Sequence, residues 1–129
     1  MGKGRSSTII LDEPSAAKPA GSTGEACLIL VYPPGPELGR KVPLSRRRYT
    51  VGREDGSDVL IDRDSVSRSH AQIMFEAGGS WSIQDLGSTN GTFVNETRIT
   101  SRNLVDGDQV RFGDAIYKFL SGGNVENSY

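Results

Sequence analysis

The sequence predicts an all-β domain, a sandwich or barrel, on three observations. Apolar residues between Cys27 and Leu120 come in short runs at roughly ten-residue spacing, and turn-forming residues sit between the runs. No window sustains the period of an amphipathic helix. Two of the runs, Ala71 to Phe75 and Trp81 to Gln84, alternate with a period of two, as half-buried strands do.

Taken in order, the first strand is Leu28 to Tyr32, closed by Pro33-Pro34-Gly35-Pro36. Lys41 to Leu44, Arg48 to Val51 and Val59 to Ile61 follow. In Ala71 to Phe75, Ile73 and Phe75 alternate with Gln72 and Met74, and Gly78-Gly79 then turns the chain. In Trp81 to Gln84, Trp81 and Ile83 alternate with Ser82 and Gln84. Asn90-Gly91 precedes a strand at Thr92 to Val94, Asp106-Gly107 precedes Gln109 to Phe112, and Gly113-Asp114 separates that run from Ala115 to Leu120. There is no internal repeat.

Length and composition bound what such a domain can be. The chain has 129 residues, enough for one ordinary domain and too few for two of full size. With one Cys27 and one His70 it can build neither a closed zinc site nor an internal disulfide, so no metal and no cofactor are expected. No apolar run approaches the roughly 20 residues of a membrane helix, and residues 1–24 do not read as a signal peptide, so the chain reads as soluble and cytoplasmic. Residues 1–24 are Ser-, Thr-, Ala-, Gly-, Pro- and Lys-rich and read as a disordered arm; the domain is expected at 25–121 and a flexible tail, the start of a linker, at 122–129.

The net charge of −1, from 15 Lys+Arg and 16 Asp+Glu, argues against a general nucleic-acid binder. Locally the charge is uneven. Arg40, Lys41, Arg46, Arg47, Arg48 and Arg53 form a stretch without acids, followed by Glu54, Asp55, Asp58, Asp62 and Asp64. The stretch reads first as a solvated face and second as a surface that steers acidic peptides.

Three segments carry candidate chemistry. Asp85 to Asn95 (DLGSTNGTFVN) packs polar and Gly residues around a strand end; by itself Asn90-Gly91 would read as a hairpin turn. Ser67-Arg68-Ser69-His70 stands just before a strand, where a lone His is more often structural than catalytic. Gly52-Arg53 ends a strand, where an Arg is commonly a solvated charge. Ser67, His70 and Asp85 could also be drawn as a hydrolase triad, but no nucleophile elbow or oxyanion loop accompanies them.

Together and in this order, Gly52-Arg53, Ser67-Arg68-Ser69-His70, Ser88 to Asn95, Gly107-Asp108 and Phe112-Gly113 closely resemble the forkhead-associated (FHA) domain family. The resemblance spans Cys27 to Leu120, with no departure at the motif positions. It implies an eleven-stranded β-sandwich that binds phosphothreonine peptides through loops at one end, for phosphorylation-dependent protein–protein interaction in signalling, and no enzymatic activity of its own. On this resemblance Arg53, Ser67, Arg68 and Thr89 surround the phosphate, Asn90 grips the peptide backbone, and Gly52, His70 and Gly91 support the loops. Ser65 stands where the family reads the third residue after the phosphothreonine; it is no cation, so no strong demand for Asp there is expected.

Two further readings concern the ends of the chain. Thr8, followed by Ile9-Ile10-Leu11, would after phosphorylation offer the domain a ligand in its own arm; the plainer reading is an untethered tail with a chance Thr. The polar end also suits the start of a linker, which makes an alternative: the regulatory domain of a larger signalling enzyme, for example a GGDEF-type diguanylate cyclase, continuing after Tyr129.

Overall fold

The computed structural model describes residues 26–122, all of them in strands, turns and loops. The expected arm, with Thr8, and the tail after Gly122 lie outside the described residues. Eleven strands follow one another: β1 (Ala26–Tyr32), β2 (Lys41–Leu44), β3 (Arg48–Gly52), β4 (Val59–Leu60), β5 (Ala71–Phe75), β6 (Trp81–Asp85), β7 (Thr92–Val94), β8 (Thr97–Ile99), β9 (Ser101–Leu104), β10 (Gln109–Phe112) and β11 (Ala115–Leu120). They form a five-stranded sheet in the order β9-β6-β5-β3-β4 and a six-stranded sheet in the order β2-β1-β11-β10-β7-β8. Every pairing is antiparallel except β3 with β4.

The period-two pattern decides which side chains make the core. Tyr49, Ile73 and Ile83 stand opposite one another across β3, β5 and β6 and point inward, while Thr50, Gln72 and Gln84 form the next rung outward. Leu28, Phe119, Val110 and Phe112 point inward from the second sheet, so the two inner faces bury each other's apolar area.

The sequence pattern finds all but two strands. β8 and β9 escape it because their stability does not come from apolar alternation. Thr97 and Arg98 are exposed, as are Ser101, Arg102 and Asn103, and only Leu104 is buried. They are held by backbone pairing to β7 and β6. The turn chemistry also falls elsewhere than expected. Asn90-Gly91 is no hairpin turn; it lies in the loop by which the chain crosses from β6 in one sheet to β7 in the other. The two-residue hairpin is Asn95-Glu96, with φ of 51° and 69°, the pair of positive values a type I′ turn requires.

Three connections meet at one end of the sandwich: the segment after β3, the β4–β5 loop and the β6–β7 crossing. The β4–β5 loop runs beside the end of β3, with His70 N–H donating to Val51 O (2.9 Å), Arg53 N–H to Ser67 O (3.0 Å) and Glu54 N–H to Arg68 O (3.2 Å). That closeness demands Gly52: a Cβ there would lie 1.9 Å from Arg68 O.

Candidate functional site

Arg53 begins where β3 ends, half-buried, and its guanidinium is oriented by one hydrogen bond, Nε–H to Val66 O at 2.9 Å. The two terminal nitrogens of the fork have no partner among the described residues. Ser67 Oγ accepts from Thr89 N–H at 3.0 Å, which ties the β6–β7 loop to the β4–β5 loop and leaves the Ser67 O–H to donate elsewhere. The Thr89 hydroxyl and the exposed Arg68 guanidinium are likewise without partners among the described residues. Asn90 donates one N–H to Ser65 O at 2.9 Å, which fixes the amide and leaves its Oδ1 and second N–H outward.

Beneath these groups lies a buried polar hub. His70 is fully buried; its Nδ1 accepts from Ser67 N–H at 3.0 Å and its Nε2–H donates to Gly91 O at 3.0 Å. A backbone N–H can only donate and a carbonyl can only accept, so both ring nitrogens are satisfied by the neutral imidazole alone. Burial pushes the His70 pKa down, against the Gly91 carbonyl and the Asp85 charge, which favour the cation. The ring meets Phe112 edge-on at 5.8 Å. Gly91, at φ 94°, turns the loop so that its carbonyl reaches that ring.

Asp85 organises the second loop. Its carboxylate accepts from Gly87 N–H and Ser88 N–H (both 3.0 Å), from Ser88 Oγ (2.6 Å) and from Thr92 Oγ1 (2.7 Å). Burial alone would raise its pKa, but the Ser88 and Thr92 hydroxyls and the two amides outweigh it and hold the group below the usual carboxylate range. Ser88 Oγ in turn accepts from Gly91 N–H at 2.9 Å. This wiring leaves no triad: His70 addresses the Ser67 amide and not its hydroxyl, and Asp85 addresses its own loop.

Ser65 is drawn into a different cluster. Its hydroxyl donates to Asp114 Oδ1 (2.5 Å) and accepts from Asp114 N–H (3.0 Å), while Arg63 grips the same carboxylate with Nε and a terminal nitrogen at 2.6 and 2.7 Å. The Arg63 guanidinium, and then the Ser65 hydroxyl, hold the Asp114 carboxyl well below the usual range. Sequence reasoning missed Arg63 and Asp114, because 51 residues separate them and Gly113-Asp114 reads as a plain turn. It also missed the organising role of Asp85, although an Asp two residues before a Gly is a known signal for a side chain that caps its own turn.

The basic stretch does not converge. Arg46 pairs with Asp58 at 2.9 Å and lies over Tyr49, Arg47 lies over Phe75, and Arg40 pairs with Glu37. Arg46 to Arg48 stand at the start of β3, about 13 Å of strand away from its end; of this stretch Arg53 alone belongs to the loop end. The Gly107-Asp108 motif is also remote: Asp108, buried, ties the tip of the β7–β8 hairpin by accepting from Asn95 Nδ2 (2.9 Å).

With this geometry in hand, likeness to known proteins is informative. The FHA domain family model matches residues 49–113. The glycogen accumulation regulator GarA of Mycolicibacterium smegmatis is 35% identical over 124 residues, covering 92% of this chain and 78% of that protein. The oxoglutarate dehydrogenase inhibitor of Corynebacterium jeikeium is 36% identical over 108 residues, covering 82% and 74%. Among solved structures, Mycobacterium tuberculosis EmbR in complex with a low-affinity phosphopeptide superposes with a TM-score of 0.69 at 33% identity, over 78% of this chain and 25% of EmbR. The FHA domain of an Arabidopsis thaliana protein does so with a TM-score of 0.71 at 30% identity, over 84% and 96%. The match runs through the two sheets and the three loops described above, and the chain belongs to the FHA domain family.

Proposed function

We propose that this chain is a phosphothreonine-peptide-binding module that mediates phosphorylation-dependent protein–protein interaction in signalling and catalyses no reaction itself. One observation carries the reading: donors without partners among the described residues, on Arg53, Ser67, Arg68 and Thr89, gathered on the loops of one end. A phosphate brings about −1.5 to −2 charges and three acceptor oxygens, and so calls for a fixed cation with convergent hydrogen-bond donors. Arg53 supplies the fork, already oriented through Val66 O, so that little side-chain freedom is lost on binding. Ser67 and Thr89 supply hydroxyls, and Arg68 a second charge. Asn90, held by Ser65, presents an acceptor and a donor to the peptide backbone. His70, Gly52 and Gly91 keep the loops at that spacing. The two bacterial relatives, a regulator and an inhibitor, support a binding role over a catalytic one. We read the compartment as cytoplasmic; among the described residues no helix is long and apolar enough to cross a membrane.

Charge-assisted hydrogen bonds contribute about 1.5 to 3 kcal/mol each, against several kcal/mol for association, so the complex forms reversibly at about micromolar affinity. In a calorimetric titration with a phosphothreonine peptide, Arg53→Ala lowers affinity by about 30-fold or more. An unchanged affinity overturns the assignment. Binding also weakens below about pH 6, where the phosphate takes its second proton.

The finer partner reading concerns Thr8. A phosphate on Thr8, 18 residues before Ala26 in the sequence, would offer a ligand to Arg53 of this domain or of a neighbouring copy. Phosphorylating Thr8 then shifts the Arg53 and Asn90 NMR resonances or produces a dimer; the absence of both ends the idea.

A further inference from the structure

We propose that the cleft between β4 and the β1–β2 connection is a second subsite, which takes an apolar side chain of the bound phosphopeptide four or five residues C-terminal to the phosphothreonine. The inference rests on the phosphopeptide reading above and extends it to a part of the ligand that the phosphate site does not touch.

The cleft has a volume of about 310 Å³, room for one or two side chains. Leu30, Ala115 and Tyr117 line it as a largely buried apolar floor, and Tyr117 meets Phe112 in an edge contact with ring centroids 6.0 Å apart. Pro33 and Leu60 add to its walls. Leu60 belongs to β4, the edge strand of its sheet, and is 45% exposed, an apolar surface that the fold leaves in water. The charged residues lining the cleft are Arg40 and Arg63 against Glu37 and Asp62, which cancel. Charge therefore does not choose the occupant, and the apolar floor does.

The cleft continues the phosphate site through a chain of contacts. Asn90 holds Ser65, Ser65 holds Asp114, Asp114 holds Arg63, and Arg63 lines the cleft. Arg63 precedes Ser67 by four residues in one loop, so their backbones are no more than about 14 Å apart. A peptide anchored by its phosphate at Ser67 and extended at about 3.3 Å per residue covers that span in four or five residues. Ser65 lies between them in the same loop, and on the family resemblance it stands by the third residue after the phosphothreonine, so the direction proposed is C-terminal.

The test uses calorimetry on the full chain with four phosphothreonine peptides: one ending at the third residue, one extended C-terminally with Leu at the fourth and fifth places, one extended with Ser there, and one extended N-terminally with Leu. The C-terminal Leu peptide binds about tenfold tighter than the short one, and the other two gain nothing. Leu60→Glu removes the gain and leaves the short peptide's affinity unchanged; Leu60→Ala removes part of it. Methyl signals of Leu60 and ring signals of Tyr117 move only with the C-terminal Leu peptide. If the short peptide binds in an Arg53-dependent way and the C-terminal Leu adds nothing, or the N-terminal extension gains as much, the subsite is overturned and the phosphopeptide reading stands. If the short peptide does not bind, both fall.

Discussion

The loop end of this sandwich holds two polar clusters of similar size that do different work. The inner one, His70 with Ser67 and Gly91 and Asp85 with Ser88 and Thr92, is buried or half-buried and lies under the loops. The outer one, Arg63, Asp114 and Ser65, has shorter contacts and formal charges, yet its ion pair is exposed, at 37% and 49% for the two side chains. Water competes for every outer contact and for fewer of the inner ones. The less exposed hydrogen bonds, neutral at His70 and charge-assisted at Asp85, should therefore set the geometry of the site, and the exposed ion pair should adjust only its rim.

The sharpest way to break this comparison is His70→Ala. It leaves Ser67 N–H and Gly91 O without partners and opens a cavity against Phe112, so stability falls by about 3 kcal/mol and Tm by about 10 °C or more. The phosphopeptide weakens with it. A denaturant titration showing less than about 1 kcal/mol would refute the ranking. Next comes Gly52→Ala, which drives a Cβ into Arg68 O and pushes the β4–β5 loop off the end of β3. It costs about 2 kcal/mol and lowers phosphopeptide affinity, a loss that calorimetry reads directly.

Acid separates His70 from Asp114 by the window in which each acts, with the same sign for both. The native His70 pKa is depressed by burial, so below about 6.5 the unfolded chain takes a proton that the folded chain refuses. Stability from this group is whole above that pH and is lost as pH falls, at a limiting slope of about 1.4 kcal/mol per pH unit. His70→Gln flattens the curve just below about pH 6.5; an unchanged slope there excludes His70 as its source. Asp114 is also depressed, by Arg63, but its contribution is present above about pH 4 and fades below it. Being exposed, it has the smallest expected effect: Asp114→Asn costs about 0.5 to 1 kcal/mol at low salt and less at high salt in a chemical-denaturation series.

What could be read beforehand follows the same division. Strands with an inward apolar rung, such as Ala71–Phe75 and Trp81–Asp85, announce themselves, because burying every second residue leaves a pattern in the chain. β8 and β9 leave none, since backbone pairing to neighbours holds them and any polar side chain satisfies it. The motif residues Arg53, Ser67 and Asn90 were legible as a set through family resemblance, not through their separate local signals. Gly107-Asp108 belonged to the same resemblance and turned out to brace the opposite part of β7.

The sequence by itself determined the sandwich, the order of its core strands and the residues at the loop end, because apolar alternation and short motifs are local properties of a chain. Tertiary structure alone decided which of those residues keep donors without partners among the described residues and which are consumed. Arg53 keeps its fork because Val66 O takes only Nε, whereas Arg63, equally charged, is taken by a carboxylate that arrives from 51 residues away. Partnership between distant groups depends on where two sheets bring their loops, and no local pattern records that distance.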